Sequence, residues 1–398
     1  MEDKYDIVIA GSGISGMSLA YYCAKDDMKV LVLEQNELLG GCFTTKYADD
    51  YWLELGAHTM YNSYGNFIDI VEGCNLSKDI IKRKKVPYKV LNSGKIRSVV
   101  SQFSIPELLF SFPSIFRMKK ENQTVESYYS RIVGRKNYQK FFQYMFNAVP
   151  SQPTNNFPAN ILFKKRTRRK DVLKSFTFRQ GIKSIIDAIG DQPGISTLTA
   201  SPVSSVERIG DTFQVTTANN NTLKADYLAL ATPVNATASL IKEINGRIAE
   251  LTGKIEFVMT DSVGVVIRKE NVQMKEFAGL IGINEDFYSV VSRDVVEDKD
   301  YRGFIFHFKP GSMDDSAKTN FICSTLGISK ESIERSFSIQ NTVPSFKLKH
   351  DLIVNEIDKI LEKEERVFIT GNYFSGMAIE DCVDRSRQEF ERLKKMRK

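Results

Sequence analysis

The stretch "YDIVIAGSGISGMSLAYYCAKDDMKVLVLEQ", residues 5–35, constrains the fold more than any other part of the chain. Residues 7–10 form a short apolar run suited to a strand buried on both faces. Gly11, Gly13 and Gly16 follow as G-x-G-x-x-G, and residues 17–24 continue with helical periodicity. Each glycine has a mechanical reason: the first permits a tight turn, the second close approach of a diphosphate, the third helix-on-sheet packing. Ile14 and Ser15 open the helix, whose free N–H groups and positive dipole end suit phosphate oxygens. A second strand, "KVLVLE", ends at Glu34 with Gln35 beside it, where a carboxylate can accept from ribose hydroxyls. Strand, glycines, helix, strand and acid in this order predict a dinucleotide-binding βαβ unit.

The continuation decides between dinucleotides. A second glycine pair, Gly40 and Gly41, is followed by Cys42, Thr44 and Thr45. Nicotinamide domains rarely need such a pair. Two permissive residues let the chain cross close to a longer cofactor, and the hydroxyls can reach its phosphates or ribityl chain. "LELGAH" then places Glu54, Gly56, Ala57 and His58 in sequence.

These landmarks resemble the flavin-containing amine oxidoreductase superfamily, most closely its protoporphyrinogen oxidase branch. There G-x-G-x-x-G, an acid, G-G-R-x-x-[ST] and E-x-G follow in this order. The resemblance implies FAD and an α/β fold: an FAD-binding Rossmann-type (glutathione-reductase-like) domain with an inserted α+β substrate domain. It also implies that Gly56, Ala57 and His58 pass the flavin ring. One departure is plain: Cys42 stands where the family carries arginine.

The resemblance extends to later segments. "FTFRQGIKSIIDAI" looks like the family's return into the cofactor domain, with Gln180 and Gly181 in place of two glycines. It implies backbone roles for Val203 at the adenine and for Ala231 and Thr232 at the diphosphate. Pro344, Phe346 and His350 match a family pattern before an amphipathic helix, with His350 read as structural. The tail "GNYFSGMAIEDCV" places Gly371, Asn372, Gly376, Met377, Ala378 and Ile379 beneath the ring, with Glu380 and Asp381 capping the last helix. The cofactor domain then comprises 1–75, 176–241 and 344–398, and the substrate domain 76–175 and 242–343. The first insertion reads as mainly helical and the second as mainly strands.

Oxidising a carbon beside nitrogen asks little of the protein beyond positioning and exclusion of water. His58, Tyr61, Tyr288 and Phe374 are the pocket candidates, with Tyr64 and Phe257 as further aromatic walls. His307, within "GFIFHF", reads as a core residue. The expected activity is an FAD-dependent oxidase or dehydrogenase acting on an amine, a reduced pyrrole or cyclic imine precursor, or a porphyrinogen. Two other readings stand beside it. "GAHTMYNS" also resembles a segment of UDP-galactopyranose mutases, redox-neutral flavoenzymes whose sugar diphosphate needs arginines that "KKRTRRK" (residues 164–170) can supply. The missing arginine after Gly41 leaves room for a non-catalytic protein that keeps the cofactor fold.

Composition narrows the partners. The 398 residues are 42% hydrophobic and 26% charged, as in ordinary globular proteins. Five scattered cysteines with no C-x-x-C pair suggest neither a metal site nor a disulfide framework, and fit a cytoplasmic setting. The modest net charge of +6, without a recognition motif, gives no reason to expect nucleic acid. A small nitrogen-containing substrate is the expected partner, with the electron acceptor open. Residues 105–120, "IPELLFSFPSIFRMKK", carry two readings: a core helix under a solvated basic end, or a peripheral membrane contact.

Overall fold

The apolar run after Tyr5 becomes β1 (Lys4–Ala10), a central strand whose last four residues are buried on both faces. In the computed structural model, which describes residues 4–397, β1 pairs in parallel with β2 (Val30–Leu33) and with strand Thr222–Leu230. Strand Ile195–Leu198 extends the sheet beyond β2, and the tail strand Val367–Ile369 adds in parallel to the far side of Thr222–Leu230. Strands Val203–Ile209 and Thr212–Thr217 complete it as an antiparallel meander. Parallel strands covered on both faces need continuous apolar runs, and "IVIA", "VLVL" and "VFI" supply them.

Helices cover both faces. On one side α1 (Ile14–Ala24), helix Lys183–Gly190 and the C-terminal helix Ile379–Met396 share a core with α2 (Gly65–Gly73). On the other, helices Val234–Leu240, Gly246–Gly253 and His350–Leu361 bury a second core that includes Tyr373 and Phe374. Every element of this layer comes from the three segments read as cofactor-binding, except Gly246–Gly253, which lies just beyond 241.

A second seven-stranded sheet runs from Ile333–Pro344 through Phe257–Arg268, Tyr301–Phe308, Phe287–Ser292 and Gly279–Ile283 to Tyr88–Asn92 and Lys95–Ser98. Helix Asp315–Leu326 seals one face. The opposite face receives the hairpin of β3 (Thr45–Ala48) and β4 (Tyr51–Glu54) so closely that a Cβ at Gly264 would lie 2.6 Å from the Leu55 side chain. Strands 88–98 belong to the insertion read as helical. The turn Asn92–Ser93–Gly94–Lys95 was the missed signal, a Ser-Gly pair between short alternating runs. The helices of that insertion surround a separate aromatic core with Tyr138, Phe146, Phe157 and Phe346.

Candidate functional site

The glycine loop shows which side is closed and which is open. A Cβ at Gly11 would meet the Ala231 carbonyl at 2.6 Å, and one at Gly16 would meet the Gly11 carbonyl at 1.9 Å. At Gly13 an added Cβ meets nothing within 4 Å. The middle glycine therefore faces open space at the start of α1, where a diphosphate would approach, while its two neighbours lock the loop. Gly41, with φ +54°, runs beside it: its Cβ would lie 3.2 Å from the Gly13 Cα. Ala231 and Thr232 close the other side, with the Ala231 N–H donating to the Ala10 carbonyl at 2.8 Å. These observations fit a dinucleotide cradle formed by Gly11, Gly13, Ile14, Ser15, Gly40, Gly41, Ala231 and Thr232.

Glu34 sits at the end of β2, buried, and all its lone-pair sites are engaged. One carboxylate oxygen accepts from the Ser12 N–H at 3.2 Å and the Ser12 hydroxyl at 2.5 Å. The other accepts from the Asn36 N–H at 2.9 Å and its side-chain amide at 2.8 Å. The Ser12 hydroxyl in turn accepts from the Gly40 N–H at 3.0 Å. One acid thus ties the first glycine loop to the second. Residues 200 and 201 donate their N–H groups to the Asn36 and Glu34 carbonyls, bringing the chain before Val203 to the same sheet end. Gln35 is exposed beside them.

Head and tail of the chain join here. Ser386 of the C-terminal helix donates to the Ser15 carbonyl at 2.7 Å, and Thr370 shares a 2.8 Å hydrogen bond with Ser386. The loop from Gly371 to Ala378 therefore lies beside the start of α1. His350 holds that loop from beneath, its Nε2 donating to the Tyr373 carbonyl at 2.7 Å. That bond makes it structural. Gly371 is buried and Asn372 half-buried. Gly376, at φ +148°, packs where a Cβ would meet the Asp381 carboxylate at 2.5 Å. Asp381 caps its own helix through the Ala378 N–H at 3.3 Å. Glu380 instead caps α2, accepting from the N–H groups of Asn66 and Phe67 at 2.9 and 3.1 Å. Burial pushes its carboxyl up to about 7.

Charged side chains surround the start of the C-terminal helix. Asp381 accepts from Lys164 at 2.8 Å and Arg166 at 2.7 Å, and Arg166 lies 5.6 Å from the Tyr64 ring centre. Arg169 binds Glu72 at 2.7 Å. Lys164, Arg166 and Arg169 of the basic run are thus engaged in internal ion pairs, whereas Lys165, Arg168 and Lys170 are exposed.

Gly56 lies against the Cys42 carbonyl, where a Cβ would come within 2.1 Å, and the Ala57 N–H donates to the same carbonyl at 2.9 Å. Thr44 turns its hydroxyl onto the Gly41 carbonyl at 2.7 Å. His58 Nδ1 lies 3.2 Å from the Gly56 carbonyl, which can only accept, so this nitrogen carries the proton and Nε2 is left as an acceptor. Burial and the neighbouring Arg83 guanidinium pull its pKa down to about 4. Arg83 donates to the His58 carbonyl and the Thr59 hydroxyl. From the second sheet, buried His307 bonds Ser262 at 2.8 Å, and burial reinforced by His58 lowers it to about 3. Two neutral imidazoles thus occupy neighbouring positions between the layers. Beside His58, Glu54, Arg83, Thr177 and Arg293 are polar groups in a small, mainly apolar cavity walled by Val291, Val295 and Ile305. Glu54 there accepts from the Ile182 N–H at 2.6 Å and the Thr45 hydroxyl at 2.8 Å, and burial pushes it up to about 7.

The aromatic candidates separate. Tyr61 (β5, Met60–Tyr61) is 43% exposed and edge-on to Tyr64, on the ring side. Tyr288 is half-exposed at a bulge of the second sheet beside Ser289. Phe257 is 42% exposed at the start of its strand. Phe374 does not wall a cleft: it is 3% exposed in the core beneath the first sheet, with the Arg385 guanidinium 3.8 Å from its ring centre. In the turn after Gly371 both Tyr373 and Phe374 point into the core, which spacing alone did not reveal. Sequence reading also missed Ser12, Arg83, Ser262 and Arg293, whose partners lie on other elements, and Asn36, which binds Glu34 two residues before it.

The glycine loop, the parallel sheet and its flanking helices define a Rossmann-like dinucleotide-binding fold with a second, mainly antiparallel sheet added to it. Residues 9–73 match the profile of the NAD(P)-binding Rossmann-like domain, and residues 101–271 that of flavin containing amine oxidoreductase. The fold resembles a crystal structure from Exiguobacterium sp. 255-15 described as a candidate protoporphyrinogen oxidase, with TM-score 0.79, 15% identity and 98% of each chain covered. It also resembles cyclohexylamine oxidase from Brevibacterium oxydans IH-35A, with TM-score 0.73, 13% identity and 100% of both chains covered. A flavin-containing amine oxidase from Oncorhynchus mykiss is 21% identical over 268 residues, 58% of this chain and 51% of that one. The matches to the first curated relatives span only 13%, 21% and 51% of those proteins' lengths. The matched segments and the shared fold make the chain similar to the flavin-containing amine oxidoreductase superfamily. Among the described residues, no helix is long and apolar enough to cross a membrane and no cluster could hold a metal ion.

Proposed function

We propose that this chain is an FAD-dependent oxidase or dehydrogenase that removes a hydride from a carbon next to nitrogen in a small substrate. The reading rests chiefly on the junction of head and tail, where Ser386 bonds the Ser15 carbonyl and sets the Gly371 loop beside an open Gly13. Gly11, Gly13 and Ser15 would hold the diphosphate, Glu34 the ribose, and residues 371–379 the ring. Bound there, FAD would supply the hydride acceptor at ring nitrogen N5.

The residues of the chain do the rest. Backbone N–H groups at the start of the C-terminal helix, with Lys164 and Arg166 outnumbering Asp381, favour negative charge at the ring end. His58 and His307, held neutral, add no positive charge of their own, and Nε2 of His58 can accept a hydrogen bond from a substrate N–H. The second sheet, pressed against the β3–β4 hairpin, excludes water. The redox-neutral mutase reading is the weaker one, because two of the three arginines of the basic run, Arg166 and Arg169, are engaged within the chain, which leaves Arg168 exposed.

Anaerobic spectroscopy of the purified, FAD-loaded protein tests the reading. Bleaching of the yellow absorbance by an amine, a porphyrinogen or a cyclic imine precursor is the expected outcome. Isomerised sugar after mixing with UDP-sugars and dithionite would instead establish the mutase reading, and protein that takes up no FAD would establish a non-catalytic role.

A further inference from the structure

The helix α3 (Ile105–Ser111) and the tight turn Phe112–Phe116 that continues it contain no buried residue. This rules out a core helix and demands another account of "IPELLFSFPSIF". Phe110 is 87% exposed, Phe116 84% and Leu109 68%, with Ile105 and Phe112 exposed beside them. The segment is nevertheless built. Ser104 caps the Glu107 N–H, Leu108 and Met118 pack onto the helical core at either end, and Phe103 lies 5.4 Å from the Phe142 ring. The fold thus holds a rigid, short helical platform with its large apolar side chains outward. An apolar patch of this kind on an anchored element marks an interaction surface.

Its charge says with what. Residues 105–120 hold one acid, Glu107, whose carboxylate is turned to the Lys136 N–H at 2.9 Å. Arg117 and Lys119 are exposed at the C-terminal edge. Lys120 donates to the carbonyls of Leu162 and Phe163, which sets another exposed phenylalanine on the same basic side. Aromatic and aliphatic groups with a basic rim on a short helix suit the interface of an anionic bilayer, where rings sit among headgroups and cations meet phosphates. A second copy fits worse: a two-fold contact through the same patch would set Arg117 and Lys119 of both copies against each other.

We infer that this platform docks the protein on an anionic lipid surface, as a peripheral contact and not a span. The inference does not depend on the flavin reading. Full-length protein is sedimented with vesicles of phosphatidylcholine alone and of phosphatidylcholine with phosphatidylglycerol. Expected is binding to the anionic vesicles that weakens with salt, falls about tenfold or more in a Phe110→Ser, Phe116→Ser double variant, and falls at least severalfold in Arg117→Glu, Lys119→Glu. All four sites are exposed, so unchanged melting of the variants separates lost docking from lost folding. No binding to either vesicle overturns the inference. So does a concentration-dependent dimer that the phenylalanine variant abolishes, which would assign the patch to self-association.

Discussion

The two ends of the candidate site are held by different means. At the nucleotide end backbone packing does most of the work: a Cβ added at Gly11 or Gly16 would meet a carbonyl at 2.6 or 1.9 Å, and one side-chain cluster, Glu34 with Ser12 and Asn36, ties the loops. At the ring end charged and polar side chains do it, through Asp381 with Lys164 and Arg166, Glu380 with α2, and His58 with Arg83. Backbone-locked geometry tolerates no substitution but leaves chemistry to the ligand. A side-chain lattice tolerates substitution but responds to pH.

The sharpest way to break the contrast is to add one methyl-sized group at two glycines. Gly16→Val puts a branched side chain 1.9 Å from the Gly11 carbonyl, with no flexible neighbour to yield. It is expected to cost more than ~4 kcal/mol and leave little folded protein. Gly13→Ala meets nothing within 4 Å. Its melting temperature should stay near that of the parent, within ~0.5 kcal/mol, while retained flavin falls steeply. Equal losses of stability at both positions would mean that the open side of Gly13 is not a ligand face.

The ring-side lattice should show itself in pH. Glu54 titrates at about 7 in the fold, against 4.5 for an unburied glutamate. Between those values the folded state holds a proton that the unfolded state has released, so the stability owed to Glu54 is lost as pH rises through the window. The ceiling is ~3 kcal/mol. In Glu54→Gln, urea unfolding at about pH 5 and about pH 7.5 should give a smaller decline than in the parent. Glu380 contributes the same sign in both proteins, and His58 and His307 the opposite sign, so the difference between variant and parent isolates Glu54. Parallel pH curves would refute the assignment.

Legibility from sequence follows the same division. Gly11, Gly13, Gly16 and Glu34 could be read because their spacing is local and only glycine fits the turn and the close packing. The apolar strands could be read because burial on both faces requires continuous runs. The ring-end partners could not, since Lys164 and Asp381, or His58 and Arg83, are joined only once the first insertion folds back. Phe374 shows the limit of a motif: glycines mark a turn after the last strand, but which of its side chains enter the core depends on how that turn packs against the first sheet. Strands 88–98 show another, since a hairpin inside a helical insertion is set by the sheet edge waiting for it.

The smallest expected effect tests whether the nucleotide end is wholly a matter of backbone. Glu34 already accepts four protein hydrogen bonds, so ribose hydroxyls must displace one of them. Asn36→Ala removes the side-chain amide at 2.8 Å and leaves the backbone bond in place, freeing one lone-pair site for the ribose. FAD, followed by quenching of its fluorescence, should bind about two- to fivefold more tightly, the worth of one modest hydrogen bond. Ser12→Ala also frees a site, but it takes away the acceptor of the Gly40 N–H at 3.0 Å and so loosens the second glycine crossing. Its FAD binding should weaken. Opposite signs in the two variants would show that Glu34 acts both as a ribose acceptor and as the tie between glycine loops. Weakening in both would leave it only the tie.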